Sequence, residues 1–287
     1  MSAFVPVPSL LLHPAARIGW GIFTVHWSTV AGLAILWALY EWRAHVRIGQ
    51  NAAERPSTVQ RALFVGGLLL MFLSLNGPLH DLSDYYLFSA HMVQHLVLTL
   101  WVPPLLILGT PGWMLRPALR IGWVASIARR MTNPRMAFVI FNVVVAAWHL
   151  PPAYNTAMAW HQVHIVQHLM FLVSATWMWW PLLSPLPELP RLAYPGQMLY
   201  CFLMSIPMSL VATYITLADH VLYPAYSSAP RVWGITPLAD QQIGGLIMWV
   251  PGGLFFLLVM SVVFFRWAAA DADHSAGAQV NWSPAKR

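Results

Sequence analysis

Two short motifs carry the side chains best suited to chemistry in this sequence. Each reads His-x-x-Gln-His: one runs from His91 to His95, and the other runs from His164 to His168. Both lie in long apolar stretches, where an ionisable side chain is costly and usually functional. Residues four apart share a helix face and lie roughly 6 Å apart. We therefore predict that these four imidazoles converge on one metal ion.

Two further histidines are predicted as additional ligands, because each precedes one copy of the motif. They are His80 and His149. Histidines at the predicted membrane interface, such as His13, His26 and His220, are instead typical of amphipathic residues with a polar tip in water.

The composition indicates an integral membrane protein. Of the 287 residues, 59% are apolar and only 8% are charged, whereas an ordinary soluble domain is about 25% charged. The formal charge of +6 sits mainly in two loops, which membrane topology explains better than nucleic-acid binding. A single cysteine, Cys201, excludes an internal disulfide framework and a cysteine-rich metal site.

The apolar pattern predicts an all-α fold of seven transmembrane helices within residues 22–267. The N-terminal 1–21 would be an external segment without a secretory signal, and 268–287 a cytoplasmic tail. The predicted spans are Ile22–Arg43, Arg61–Leu79, Tyr85–Leu108, Arg135–Leu150, Gln162–Leu183, Gly196–Leu217 and Ile243–Trp267.

Basic residues predict the orientation. Arginines concentrate in the loops after spans one and three, and basic residues recur in the tail. Because such residues favour the cytoplasmic side, we expect the N-terminus outside and the C-terminus inside. The arginine-bearing segment 112–131 would lie along the cytoplasmic surface.

A weak internal repeat relates spans two and three to spans four and five. In each half, a histidine is expected to close one helix, a short turn follows, and His-x-x-Gln-His enters the next helix. Gln94 and Gln167 would hydrogen-bond a ligand imidazole or join helices.

Three other features bear on the site. The long loop Ala218–Gln242 could cover its mouth as a lid. Prolines within or ending the spans, such as Pro103, free backbone carbonyls for other partners. The glycine pairs at 244–245 and 252–253 leave a flat strip for close helix packing.

Imidazole ligands alone suit copper, zinc, iron or nickel, and softer donors favour Cu(I). Span six offers a stripe of such donors at Cys201, Met204 and Met208. Core packing is the simpler explanation of that stripe; if functional, it would be a transit path apart from the histidines.

Several segments together resemble the multi-spanning CtaG family of cytochrome c oxidase assembly factors. They are Tyr85–His95 with Pro103, Pro104 and Gly109–Pro111, then Trp148–Pro151, His164–His168 and Asp240–Trp249. The resemblance implies a bacterial inner-membrane protein that helps to mature a haem-copper oxidase. We therefore expect the protein to deliver copper and to have a non-enzymatic role. Its expected partners are the oxidase subunits and a periplasmic copper donor.

Two other classes of function are also consistent with the sequence. A b-type cytochrome would hold haem between one histidine from each of two helices, such as His95 and His168. A seven-span zinc hydrolase would need three imidazoles, an activated water and a carboxylate. Four acidic residues lie on the expected face for that carboxylate: Asp81, Asp84, Asp219 and Asp240.

Overall fold

A computed structural model describes residues 23–48, 55–231 and 233–280, and its regular elements are all helical. The predicted external segment 1–21, with His13, lies outside the described residues, as do residues 281–287 of the predicted tail. The α-helices are α1 (Trp27–Ile48), α2 (Thr58–Leu75), α3 (Gly77–Tyr85), α4 (Phe88–Leu96), α5 (Val102–Gly109), α6 (Gly112–Leu119), α7 (Gly122–Met131), α8 (Pro134–His149), α9 (Pro151–Ala159), α10 (His161–Leu183), α11 (Tyr194–Thr216) and α12 (Pro237–Val280).

Four helical segments are long and apolar enough to cross a membrane, so this is a multi-pass membrane protein. They are Thr58–Leu75, Phe88–Gly109, Tyr194–Thr216 and Pro237–Ala272, and the bent pair α8–α9 makes a fifth if it counts as one span. Helices α1 and α10 have 22 and 23 residues but are less apolar. The seven-span count and the orientation stay predictions.

The predicted end of span two at Leu79 is wrong, because the chain breaks at Asn76. Asn76 is extended, and Gly77 adopts a φ of +68°, a left-handed conformation that glycine tolerates best. Pro78 then lies in the first turn of α3, a position that suits proline. His80 therefore lies inside a separate short helix and does not close span two.

The turn predicted between span four and the second motif is also a helix. Pro151 and Pro152 start α9, which is bent by 72° from α8. The two halves of the predicted repeat thus share one order: a long helix, a nine-residue helix, and the helix that bears the motif. His149 ends α8, so it is not the positional counterpart of His80.

A π-helical turn, Val97–Trp101, joins α4 to α5 into one continuous span. The carbonyl of Thr99 would normally accept from the backbone four residues on, but Pro103 has no N–H there. The indole Nε1 of Trp179, on α10, donates to this carbonyl at 2.8 Å. Pro103 thus frees a backbone carbonyl, as the sequence predicts, and the hydrogen bond to this carbonyl fixes α10 against the span α4–α5.

Helices α4, α10, α11 and α12 enclose the main apolar core, with α12 packed along α11 and α4. A Cβ at Gly244 would overlap the Phe88 ring, and one at Gly252 would overlap the end of Met208. At Gly245 it would overlap Thr216, whereas Gly253 faces open space. The predicted glycine strip is confirmed at three of its four positions.

The Gly244→Ala variant should unfold at a lower temperature than wild type. Overpacking a filled core costs roughly 1–3 kcal/mol, and Phe88 is only 1% exposed. Thermal unfolding of the purified protein in detergent measures the effect. Gly253→Ala is the matched control and should leave the midpoint unchanged or raise it, because alanine favours a helix interior more than glycine does; equal midpoints for the two variants would contradict the packing.

Candidate metal centre

The imidazole rings of the two motifs meet between α4 and α10. The ring centroids of His91 and His95 are 4.2 Å apart, and those of His164 and His168 are 4.3 Å apart. Across the two helices, His91 lies 5.2 Å from His164, and His95 lies 5.4 Å from His168. The structure therefore brings all four predicted imidazoles into one cluster.

Within this cluster, two groups of three side chains could each hold a metal ion. His91, His95 and His168 each offer a nitrogen, and Asp84, His91 and His164 offer one carboxylate oxygen and two nitrogens. The potential ligand atoms of each group lie within 4.8 Å of one another. His91 belongs to both groups and is fully buried.

The other two predicted ligands flank the cluster on different sides. His80 Nε2 lies 3.5 Å from the Asp84 carboxylate, which is 3.6 Å from His164 Nδ1. His149 lies behind His95, with their ring centroids 5.6 Å apart. Among the residues the structure describes, neither flanking histidine falls within a group of three potential ligands.

A tyrosine from the loop between α11 and α12 sets the tautomer of His91. Tyr226 Oη donates to the carbonyl of Ser83 at 2.7 Å, so the 3.0 Å contact with His91 Nδ1 requires the imidazole to donate. His91 Nε2 then carries a lone pair directed towards His95. Burial raises the pKa of Tyr226 well above its usual value, which keeps the phenol protonated.

The neighbouring ring completes this chain of tautomers. His95 Nε2 lies 2.7 Å from His91 Nε2. Because His91 Nε2 bears no proton, His95 must donate through its own Nε2. A proton shift within the His95 ring would turn both Nε2 atoms into ligand atoms on one side of the cluster.

Several buried nitrogens have no hydrogen-bond partner within the described ranges. They are Nδ1 of His95 and Nε2 of His149, His164 and His168, together with both amide atoms of Gln167. Leaving such groups unpaired costs free energy. A bound cation would satisfy the imidazole lone pairs, so the donor set fits a metal ion.

The two glutamines of the motifs have different surroundings. Gln94 donates to the Ser74 carbonyl at 2.7 Å, accepts from Ser83 Oγ at 3.1 Å, and lies 3.2 Å from His80 Nδ1. Gln94 therefore joins α2, α3 and α4, which confirms the expected role in joining helices; whether it supports a ligand imidazole stays a prediction. Neither amide atom of Gln167 has a hydrogen-bond partner among the described residues.

The N-terminus of α12 holds the start of α4 in place. The Asp240 carboxylate accepts from the backbone N–H groups of Phe88 and Ser89 at 2.6 and 3.2 Å, and from Ser89 Oγ at 2.5 Å. A carboxylate at a helix N-terminus satisfies orphan N–H groups and complements the helix dipole. Gln241 accepts from the backbone of Leu222 at 2.7 Å, which fixes the loop that carries Tyr226.

Sequence reasoning missed Tyr226 as a contact of His91, and it treated Asp84 as one of several interchangeable acids. The structure separates those acids: Asp84 faces the cluster, Asp240 caps α4, Asp81 accepts from Thr24 Oγ1, and Asp219 is exposed beside His220. His26 was expected at the interface, yet its ring lies 4.5 Å from that of His80. The sequence gives only a weak signal for Tyr226: it is one of several aromatic residues in the loop Ala218–Gln242, the predicted lid.

Taken together, the fold and the site describe a multi-pass helical membrane protein with a buried, histidine-rich cluster that fits a metal ion. The family model of the cytochrome c oxidase caa3 assembly factors (Caa3_CtaG) matches residues 33–270. This chain belongs to that family.

Curated relatives come from mycobacteria and are themselves described as uncharacterized. Proteins of Mycobacterium bovis and Mycobacterium tuberculosis are each 26% identical over 201 residues, which is 64% of this chain and 30% of theirs. A Mycobacterium leprae protein is 24% identical over 260 residues, covering 85% of this chain and 39% of its own length. The chain thus spans less than half the length of these relatives. No solved structure matches it significantly.

The Asp240→Asn variant should be less stable than wild type by roughly 1.5–3 kcal/mol, the range for hydrogen bonds to charged groups. The neutral amide cannot accept from three donors as strongly, and it no longer offsets the helix dipole. Thermal unfolding in detergent measures the change. Asp219→Asn, at an exposed position, is the control; an unchanged midpoint for Asp240→Asn would refute the capping role.

Proposed function

We propose that this protein helps to assemble a caa3-type oxidase by holding copper, as Cu(I), in the cluster between α4 and α10 and delivering it to the oxidase. His91, His95 and His168 would bind the ion directly. The observation that carries the proposal is the convergence of both motifs on one buried cluster in a member of an oxidase assembly family. The donor set is nitrogen-rich, which suits copper.

The flanking residues would support these ligands. Tyr226 fixes the His91 ring, and Asp84 links His80 to His164. We assign the site to the outer half of a seven-span protein in the bacterial inner membrane, with the N-terminus outside and residues 268–287 inside. That placement would bring the cargo near the copper centres of the oxidase subunits, and it would let a periplasmic donor load the site.

The haem alternative is disfavoured by the ring packing. The four imidazole centroids lie 4.2–5.8 Å from one another along their contacts, a spacing that suits one small ion better than a porphyrin. The zinc alternative has one specific observation in its favour: the second group combines Asp84 with His91 and His164. Two imidazoles and a carboxylate are a ligand set of zinc hydrolases.

Replacing any one of His91, His95 or His168 by alanine should weaken Cu(I) binding by more than the roughly 100-fold loss typical of an outer-shell change. The measurement is anaerobic competition with a chromophoric Cu(I) chelator, using the purified full chain in detergent. His161→Ala is the control, because His161 lies on the same helix but is exposed.

The same samples separate the three candidate functions. If elemental analysis finds zinc, and zinc binding is lost in Asp84→Asn but retained in His168→Ala, the zinc hydrolase is favoured over the copper proposal. A strong visible absorption band of the purified protein would favour the haem protein instead. Co-expression with a caa3 oxidase tests delivery, since the oxidase made beside the His91→Ala variant should contain less copper.

The Tyr226→Phe variant should bind Cu(I) about tenfold or more weakly, because the partner that orients His91 is lost. Chelator competition again measures the affinity. Tyr200→Phe is the control: its hydroxyl is also buried, but it donates to the carbonyl of Met178 at 3.1 Å. Equal affinities for the two variants would remove Tyr226 from the site.

A further inference from the structure

A small cavity lies directly behind the cluster, on the far side of His95. Its volume is about 20 Å³, room for about one water molecule or one ion. Two imidazoles and three thioether side chains line it: His95, His149, Met92, Met208 and Met248. The rest of the wall is Leu96, Thr99, Phe141, Val145 and Phe171.

Each of the two imidazoles has one unprotonated nitrogen that hydrogen-bonds to no group of the described chain. His149 Nδ1 donates to the Val145 carbonyl at 2.7 Å, which leaves a lone pair on its Nε2. His95 donates through Nε2 to His91, which leaves a lone pair on its Nδ1. Neither of these lone-pair atoms has a hydrogen-bond partner within the described residues.

The thioethers come from three separate helices: Met92 from α4, Met208 from α11 and Met248 from α12. All three side chains are buried. Methionine is a common gap-filler in cores, but here three of them line the same cavity as two free imidazole lone pairs. Thioether and neutral imidazole together are a ligand set that selects Cu(I) over harder divalent ions.

We propose that this cavity is a second Cu(I) site, formed by His95 Nδ1, His149 Nε2 and the thioethers that line it, those of Met92, Met208 and Met248. The inference rests on the proposed function, because it extends the path of the same cargo. A neutral imidazole has one lone pair, so His95 can serve the first site through Nε2 or the second through Nδ1. The two sites therefore cannot both bind an ion through His95 at the same time.

X-ray absorption of Cu(I)-loaded protein tests this proposal, because it separates sulfur from nitrogen ligands. The key sample is the His168→Ala variant of the whole chain, in which the first site lacks a ligand while the cavity is intact. We expect it to bind Cu(I) roughly 100-fold or more weakly than wild type and, when loaded with excess Cu(I), to hold copper with sulfur in the coordination shell. Replacing all three lining methionines by leucine in this background (Met92→Leu, Met208→Leu and Met248→Leu) should abolish the sulfur signal and most of the bound copper; leucine for methionine nearly conserves volume.

The control is Met204→Leu in the same His168→Ala background. Met204 is fully buried one turn from Met208 but does not line the cavity, so the sulfur signal should persist. Loss of all copper from His168→Ala, with nitrogen-bound copper in wild type, would overturn the second site and leave the first standing. Sulfur ligation that survives all three leucine substitutions would also overturn the second site. Wild type that binds no Cu(I) would overturn both proposals.

Discussion

The structure depends on one constraint: imidazoles placed among apolar helices must find partners for both ring nitrogens. A run of hydrogen bonds meets this need on one side of the cluster, from the Ser83 carbonyl through Tyr226 and His91 to His95. The protons along this run all point the same way. The run therefore ends in one lone pair, on His95 Nδ1, and His95 lines the cavity that the thioethers also line.

Helix placement follows from the same need. Asp240 fixes the first turn of α4, one turn before His91, and Trp179 fixes α10 through the Thr99 carbonyl that Pro103 leaves free. The Trp179 contact therefore holds the two motif helices together, and the Asp240 contact holds α12 against α4. The glycine strip of α12 lets that helix approach closely enough for Asp240 to reach α4.

Local signals were enough to predict the helical class, most helix positions and the four central histidines. Apolar length and i,i+4 spacing depend only on neighbours in sequence. The break at Asn76–Gly77 was missed because the apolar run continues through it, and its cause is a left-handed glycine packed against the distant Phe23. Tyr226 lies 135 residues from His91, and no periodicity connects positions so far apart. Asp84 could be distinguished from Asp81 only by the direction of each side chain on α3.

The capping of α4 by Asp240 also has a temporal consequence during biosynthesis. The motif histidines leave the ribosome well before Asp240 and before Tyr226, which follows His91 by 135 residues. Until α12 inserts, His91 lacks its orienting phenol and α4 lacks its N-terminal anchor. The nascent chain thus carries the histidines before their geometry is fixed, and the cluster takes its final form only once α12 has been made.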